Sequence, residues 1–197
     1  MTTFAKVYRV LFNPDEFLIL NETGFEQTMQ LTEGQMMLFD GRASMSENWT
    51  TLGLEWLIEL YEAHSGVAKP DIAALGASTF VVPLSIASIL KPFLDKHIEL
   101  LECKLEGESW FALNIIGYDD VLDNELTIIN MRNGKPSRTN RFKRMVFNKE
   151  SITNTTLFRA KNVGIRYFTT DAKNSLYSLS KENGWQGLYF EEVELTD

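Results

Sequence analysis

The last forty residues constrain the fold of this chain most strongly, because their pattern is that of a strand, a helix and a second strand. Residues 165–170 are mostly aromatic or β-branched, which favours a strand. Apolar residues then recur at helical spacing, at Ala172, Leu176 and Leu179. Thr169 or Thr170 can cap this helix, Gly184 can end it, and residues 188–190 return to a sheet. Such a unit packs one helix against a sheet.

Alternating apolar residues predict several further strands before this unit. Residues 97–106 and 109–117 flank the turn sequence Glu106-Gly107-Glu108 and predict a hairpin. The other predicted strands are residues 6–12, 80–82, 126–131 and 141–148. Antiparallel strands followed by a helix and a strand predict an α+β fold. We expect a largely antiparallel sheet, about three helices and the C-terminal strand–helix–strand unit.

Two other segments have helical spacing. The first has Leu52, Trp56, Leu60 and His64 at intervals of four, with Glu55, Glu59 and Glu62 between them. It predicts an amphipathic helix with an acidic face that ends near Gly66. Residues 86–97 predict a helix that bends or ends early at Pro92, because proline removes a backbone donor and clashes with the preceding turn. Residues 20–50 are weakly periodic and predict strands or irregular structure.

The length of the chain limits the number of domains, and its net charge limits the classes of partner. A chain of 197 residues buries roughly 70% of the surface that its unfolded form exposes, so residues 1–197 are predicted to form one domain. The alternative is an N-terminal subdomain over residues 1–68 beside a portion over residues 69–197. The net charge of −8 disfavours nucleic acid as a partner, because phosphates repel an acidic protein. A cytoplasmic protein without membrane contact is expected, since residues 1–9 lack an apolar signal core and residues 79–94 are too short to span a bilayer.

Few residues point to chemistry. The single cysteine, Cys103, lies in an alternating run and is predicted to be a buried, inert thiol. One cysteine and two histidines, His64 and His97, predict no thiolate zinc site, and no cofactor motif is present. The acidic residues between Asp119 and Glu125 are predicted to form a turn and cap a helix. The alternative is a small enzyme that combines this acidic region with a distant base, in a deep pocket that shifts the pKa of a carboxylate.

Several motifs in order along the chain carry a resemblance to a known family. They are "STFVVPLSIASILKPFL" from residue 78, "HIELLECKLEGESWFALNIIGYDDVLD" from residue 97, "LFR" at 157–159 and "GLYF" at 187–190. Over residues 70–195 the chain resembles a family of bacterial immunity proteins, first described as a domain of unknown function, whose members are found beside polymorphic toxins. "KVYRV" at 6–10 is similar to the start of that family, and residues 20–68 have no counterpart.

The resemblance implies an antitoxin rather than an enzyme. Such a protein binds a cognate toxin stoichiometrically and blocks it, which requires no catalytic residue, cofactor or metal. The "LFR" and "GLYF" motifs are expected to be structural, and no binding residue is carried over from the family. A protein-interaction adaptor without a toxin is the other alternative, and the oligomeric state is left open.

Charged and aromatic residues supply the predicted toxin contacts. The basic segment of residues 132–149 has no acidic residue, and it could pair internally, dock on a protein partner or contact nucleic acid. The acidic helix face could meet a basic toxin, and tryptophans near loops could anchor an interface. The residues predicted to contact the toxin are Trp49, Glu55, Glu59, Glu62, Arg138, Arg141, Arg144 and Trp185.

Overall fold

Two β-structures, a closed six-stranded barrel and a five-stranded sheet, make up most of the fold in the computed structural model. The structure describes residues 3–31, 39–58, 67–77, 79–137 and 141–196. The strands in chain order are β1 (Val7–Phe12), β2 (Leu20–Glu22), β3 (Leu52–Trp56), β4 (Ala73–Leu75), β5 (Thr79–Pro83), β6 (Ile98–Leu105), β7 (Glu108–Ile115), β8 (Ile128–Ile129), β9 (Met131–Arg132), β10 (Lys135–Pro136), β11 (Phe142–Arg144), β12 (Val146–Asn148), β13 (Phe158–Arg159), β14 (Tyr167–Thr170) and β15 (Leu188–Thr196). The helices are α1 (Phe25–Leu31), α2 (Leu84–Leu90) and α3 (Leu176–Asn183).

The barrel has the strand order β2-β3-β6-β7-β5-β4. Its β6–β7 hairpin turns at Glu106 and Gly107, both with positive φ, which confirms the predicted hairpin. The β3–β6 and β2–β4 pairs are parallel, and the other pairs are antiparallel. Cys103 lies inside the barrel, where burial raises the pKa of its thiol to about 12, so the prediction of an inert cysteine is confirmed.

The five-stranded sheet has the order β12-β15-β1-β14-β13. Its central strand β1 is antiparallel to both β14 and β15, so the C-terminal strand–helix–strand unit encloses the N-terminal strand. Helix α3 buries Leu176 and Leu179 and ends at Gly184 with φ 68°, as predicted. The predicted caps Thr169 and Thr170 lie on β14 instead. The cap is Ser175, whose hydroxyl accepts a hydrogen bond from the Ser178 amide at 3.1 Å.

The predicted helix that begins at Leu52 is wrong over its first turn, because residues 52–56 form the barrel strand β3. Leu52, Leu54 and Trp56 are buried on one face, while Glu55 is exposed on the other. Leu52 and Trp56 are four residues apart, which fits one face of a helix and also one face of a strand, where every second residue points the same way. Pairing with the neighbouring strands β2 and β6 selects the strand. The rest of the predicted helix, with Glu59, Glu62 and His64, lies outside the described residues.

The predicted fold class is confirmed in its broad outline. The described residues contain three α-helices, and strands dominate, as expected for an α+β fold. The expected largely antiparallel sheet is instead divided between the barrel, the mixed five-stranded sheet and two short strand pairs. Helix α2 ends before Pro92 in a 3-10 turn over Lys91–Phe93, so His97 lies beyond the helix that was predicted to reach it. No helix in the described part of the chain is both long and apolar enough to cross a membrane.

One hydrophobic cluster lies between the barrel and the sheet. It combines Val10 of β1, Phe80 of β5, Leu113 of β7, Tyr167 of β14 and Leu179 of α3. A second cluster fills the barrel, and a third lies beneath the opposite face of the sheet. The third cluster covers only the part of that face near Val7 and Phe168, so the part near Arg9 borders cavities.

Candidate functional site

Among the described residues, the segment with the most large exposed apolar side chains is residues 126–137 and 141–144, which we call the arm. The arm contains the β9–β10 hairpin and the β8–β11 pair. Asn133 and Gly134 both have positive φ, as in the primed turn that Asn-Gly favours. Four large apolar residues of the arm are exposed: Leu126, Ile128, Ile129 and Met131. Large exposed apolar side chains concentrated within six positions make this segment a candidate interaction site.

Hydrogen bonds fix the base of the arm. The Asp123 carboxylate accepts bonds from the amides of Leu126 and Glu125, each at 2.9 Å, and the first of these is the main reason that its pKa is lowered. The Thr127 hydroxyl lies 3.2 Å from both the amide and the carbonyl of Val146. Asp123 therefore forms a turn, as the sequence predicted for this acidic region.

The cations of the arm, which are part of the basic segment, divide into two groups. Arg144 donates two hydrogen bonds to the Glu194 carboxylate of β15, and this contact lowers the pKa of Glu194. Four other cations are exposed and form no ion pair within the described part of the chain: Arg132, Lys135, Arg141 and Lys143. Internal pairing thus accounts for Arg144 alone in the arm, while the other cations of the arm face solvent. Arg138 lies outside the described residues.

The other predicted contact residues lie on separate elements. The Trp49 indole donates to the Glu102 carbonyl at 2.8 Å, and its ring lies 5.8 Å from that of Phe39. Trp185 is partly buried against the cluster between the barrel and the sheet. Glu55 is exposed on β3 of the barrel. Arg141 and Arg144 are the members of the predicted set that the described structure brings together, on or beside β11.

The sequence did not predict that the apolar residues of the arm are exposed. The run from Leu126 to Met131 predicted a strand, and a strand of apolar residues is normally buried on one face. In the structure this run divides into β8 and β9, which pair only with the equally short β11 and β10. The cations that follow at Arg132 and Lys135 are the one signal in the sequence that this segment faces water.

A second candidate site is a cleft of ≈ 250 Å³ that contains Asp95, His97 and Asp119. Burial raises the pKa of Asp119, and the charge of Asp95 adds to the increase. Hydrogen bonds from the Asn154 amide and the Thr153 hydroxyl, and the proximity of His97, act in the opposite direction. The cleft therefore places an acid with a raised pKa beside an exposed imidazole. Among the described residues, no three acidic, histidine or cysteine side chains are grouped so that they could hold a metal ion.

We expect Asp119→Asn to change how stability depends on pH. A carboxyl whose pKa is raised by folding stabilises the protein fully below its ordinary pKa of 3.8. That stabilisation is lost as the pH rises through the pKa that Asp119 has in the folded protein. The wild type should therefore gain stability relative to the variant as the pH falls from neutral towards 4, in urea unfolding at several pH values.

Asp120→Asn is the control, because Asp120 is exposed and makes only a surface pair with Lys161 at 3.0 Å. An equal pH dependence in the wild type and Asp119→Asn would contradict the prediction.

The motifs of the family resemblance occupy structural positions. Arg159 of "LFR" is only 1% exposed, and its guanidinium donates to the Phe39 carbonyl and to the Tyr167 hydroxyl. Gly187 of "GLYF" lies against the backbone of Ile72, where a side chain would not fit. Both observations agree with the expectation that these motifs maintain the fold.

The chain matches no protein-family model and no curated protein.

Proposed function

We propose that this protein is an immunity protein, an antitoxin that neutralises a cognate bacterial toxin in the cytoplasm by binding it stoichiometrically. The arm is the proposed binding surface. The observation that carries the proposal is the combination, in one exposed segment, of four large apolar side chains and four cations without ion pairs to described residues. Occlusion of a toxin needs such a surface and no catalytic group.

The chemistry of the arm suits a protein partner better than nucleic acid. Protein interfaces bury apolar and aromatic anchors at their centre and keep charges at the rim. Ile128 and Met131 can supply the anchors, while Arg132 and Arg141 can pair with acidic residues around them. The net charge of −8 opposes binding to a phosphate backbone, and Phe142, the aromatic residue of the arm, is partly buried.

The arm favours an acidic surface on the toxin. Besides the arginines of the basic segment, the sequence suggested that Glu55, Glu59 and Glu62 meet a basic surface. Glu55 lies on the barrel strand β3, so the acidic and basic contacts belong to different elements of the fold. Charge-reversing substitutions can separate them, because each should weaken binding only when its own face is in contact.

We expect Met131→Glu to weaken toxin binding by roughly tenfold or more, because a carboxylate replaces an apolar anchor and opposes an acidic partner. The matched control is Leu84→Glu, since Leu84 and Met131 are both 56% exposed. Leu84 begins α2, where an added carboxylate is tolerated, and it lines a separate groove. Binding is measured by titrating the tagged protein against the toxin encoded beside it.

The outcomes of this titration are distinct. Full toxin activity at an excess of wild-type protein would refute the immunity function. Neutralisation that survives Met131→Glu and is lost in Leu84→Glu would keep the function but move the surface from the arm to the groove beside α2. A tightly bound partner that is not a toxin would indicate an adaptor.

The second candidate function is a small enzyme that uses the cleft at Asp119. The raised pKa of Asp119 favours it, because acids that work in catalysis near neutral pH need such a shift. His97 lines the same cleft and could act as the base. Turnover of a metabolite by the purified protein, abolished in Asp119→Asn, would support the enzyme over the immunity protein.

A further inference from the structure

Two arginines lie side by side at a cavity that neither candidate function uses. The cavity has a volume of ≈ 190 Å³ and lies between β1, the start of β14 and the β4–β5 segment. Arg9 and Arg166 line it together with mainly apolar residues, including Val10, Phe12 and Phe80. Most ligand sites are apolar pockets with a few polar groups that fix the orientation of the ligand.

Arg166 is partly buried, and the acids nearest to it, Glu191, Glu192 and Glu194, form ion pairs with Arg9, Lys6 and Arg144 instead. Its guanidinium forms no ion pair and no hydrogen bond with the residues that the structure describes. Burial lowers its pKa, and the positive charge of Arg9 lowers it further, while the negative charge of Glu191 acts in the opposite direction. Bringing two guanidinium groups together away from water costs free energy unless an anion lies between them.

One hydrogen-bond donor of the Arg9 guanidinium has no partner among the described residues. Its Nη1 atom is 3.2 Å from the Glu191 carboxylate, which therefore serves one of the two arginines. Its Nε atom is buried and has no hydrogen-bond partner within the described ranges. The group of Arg9, Arg166 and Glu191 has one more positive than negative charge. An added anion would neutralise that excess.

The cavity can accept an apolar group behind such an anion. An apolar cavity of about 150 Å³ is large enough to bind benzene. A cavity of ≈ 190 Å³ can therefore hold a group the size of a phenyl ring. Guanidinium groups bind carboxylates and phosphates through paired hydrogen bonds, which gives geometric selectivity as well as free energy.

We propose that Arg9 and Arg166 form a binding site for a small anionic ligand, a carboxylate or phosphate monoester with an apolar substituent that enters the cavity. The anionic group bonds to the guanidinium of Arg166, beside the positive charge of Arg9. The cavity itself contains no residue of the arm, although Arg9 and Arg166 also line a second cavity with Phe142 and Arg144. Ligand binding can be tested on the isolated protein without the toxin.

The experiment titrates the purified full chain with benzoate and with phenyl phosphate, followed by two-dimensional NMR. Benzamide serves as the neutral analogue of benzoate. We expect saturable shifts around Val10 and Phe80 for one or both anions and much weaker shifts for benzamide. The two anions distinguish a carboxylate site from a phosphate site.

Arg166→Gln should weaken anion binding by roughly tenfold, because it removes a charge-assisted pair of hydrogen bonds. Arg141→Gln is the matched control, since Arg141 is also without an ion pair to described residues and does not line the cavity. Equal binding in both variants, equal binding of benzamide and benzoate, or no saturable binding of either anion would each overturn the proposal. A thermal midpoint close to that of the wild type shows that Arg166→Gln is folded.

Discussion

Gly187→Ala is expected to destabilise the protein by about 3 kcal/mol or more. Gly187 has φ 112°, a conformation that residues with a side chain rarely adopt. A Cβ atom there would lie 2.2 Å from the Ile72 carbonyl oxygen and 2.7 Å from the Cβ atom of Pro70. The neighbouring residue Gln186 is held by hydrogen bonds to residues 71 and 72, so the two segments cannot separate without losing them.

Gly184→Ala is the matched control for this prediction. Gly184 also has positive φ, at 68°, but a Cβ atom there would meet nothing within 4 Å. Its substitution should cost only about 1–2 kcal/mol, the cost of a left-handed conformation for a residue with a side chain. Urea unfolding of both variants measures the difference. Similar midpoints would show that the close approach at Ile72 does not constrain the fold.

Arg159→Ala should destabilise the protein by about 3–5 kcal/mol, since it leaves a cavity and removes the donor for buried acceptors. The guanidinium donates to the Phe39 carbonyl and to the Tyr167 hydroxyl, and it lies 4.7 Å from the centre of the Tyr167 ring. The Tyr167 hydroxyl in turn donates to the Leu113 carbonyl at 2.6 Å. Arg159 therefore links the sheet, the barrel and the segment at Phe39.

The control for Arg159 is Arg141→Ala, because Arg141 is exposed on the arm. A surface substitution of this kind changes stability by about 0.5 kcal/mol or less. The free energy of unfolding in urea distinguishes the two arginines. A small loss of stability in Arg159→Ala would mean that water takes the place of the guanidinium. The contacts of Arg159 would then not explain why this residue is buried.

Stability and toxin binding can be separated with these variants. If the proposed immunity function holds, Gly187→Ala and Arg159→Ala should lower toxin neutralisation only by reducing the folded fraction. Met131→Glu should leave the unfolding midpoint close to that of the wild type, because its side chain is exposed, and yet weaken binding. A loss of the proposed toxin binding at an unchanged unfolding midpoint is therefore the result that identifies the contact surface.

The candidate surface was only partly predictable from the sequence. The excess of cations in residues 132–149 is a property of composition, and it indicated an interaction surface. Which cations remain available depends on residues far away in the chain. Arg144 pairs with Glu194, fifty residues later, whereas Arg141 has no such partner among the described residues. The arginine pair at Arg9 and Arg166 was likewise invisible, because strand pairing between β1 and β14 brings the two together.

Local signals by themselves determined the β6–β7 hairpin and helix α3. The turn at Glu106 and Gly107 and the glycine stop at Gly184 act through backbone conformations that neighbouring residues decide. Only the tertiary structure decided the state of residues 52–56, where the apolar pattern fits a helix or a strand. There β2 and β6 provide hydrogen-bond partners on both sides, and the barrel interior buries Leu52, Leu54 and Trp56 together. The burial of Arg159 also required the fold, since its acceptors come from segments that only the folded chain brings to it.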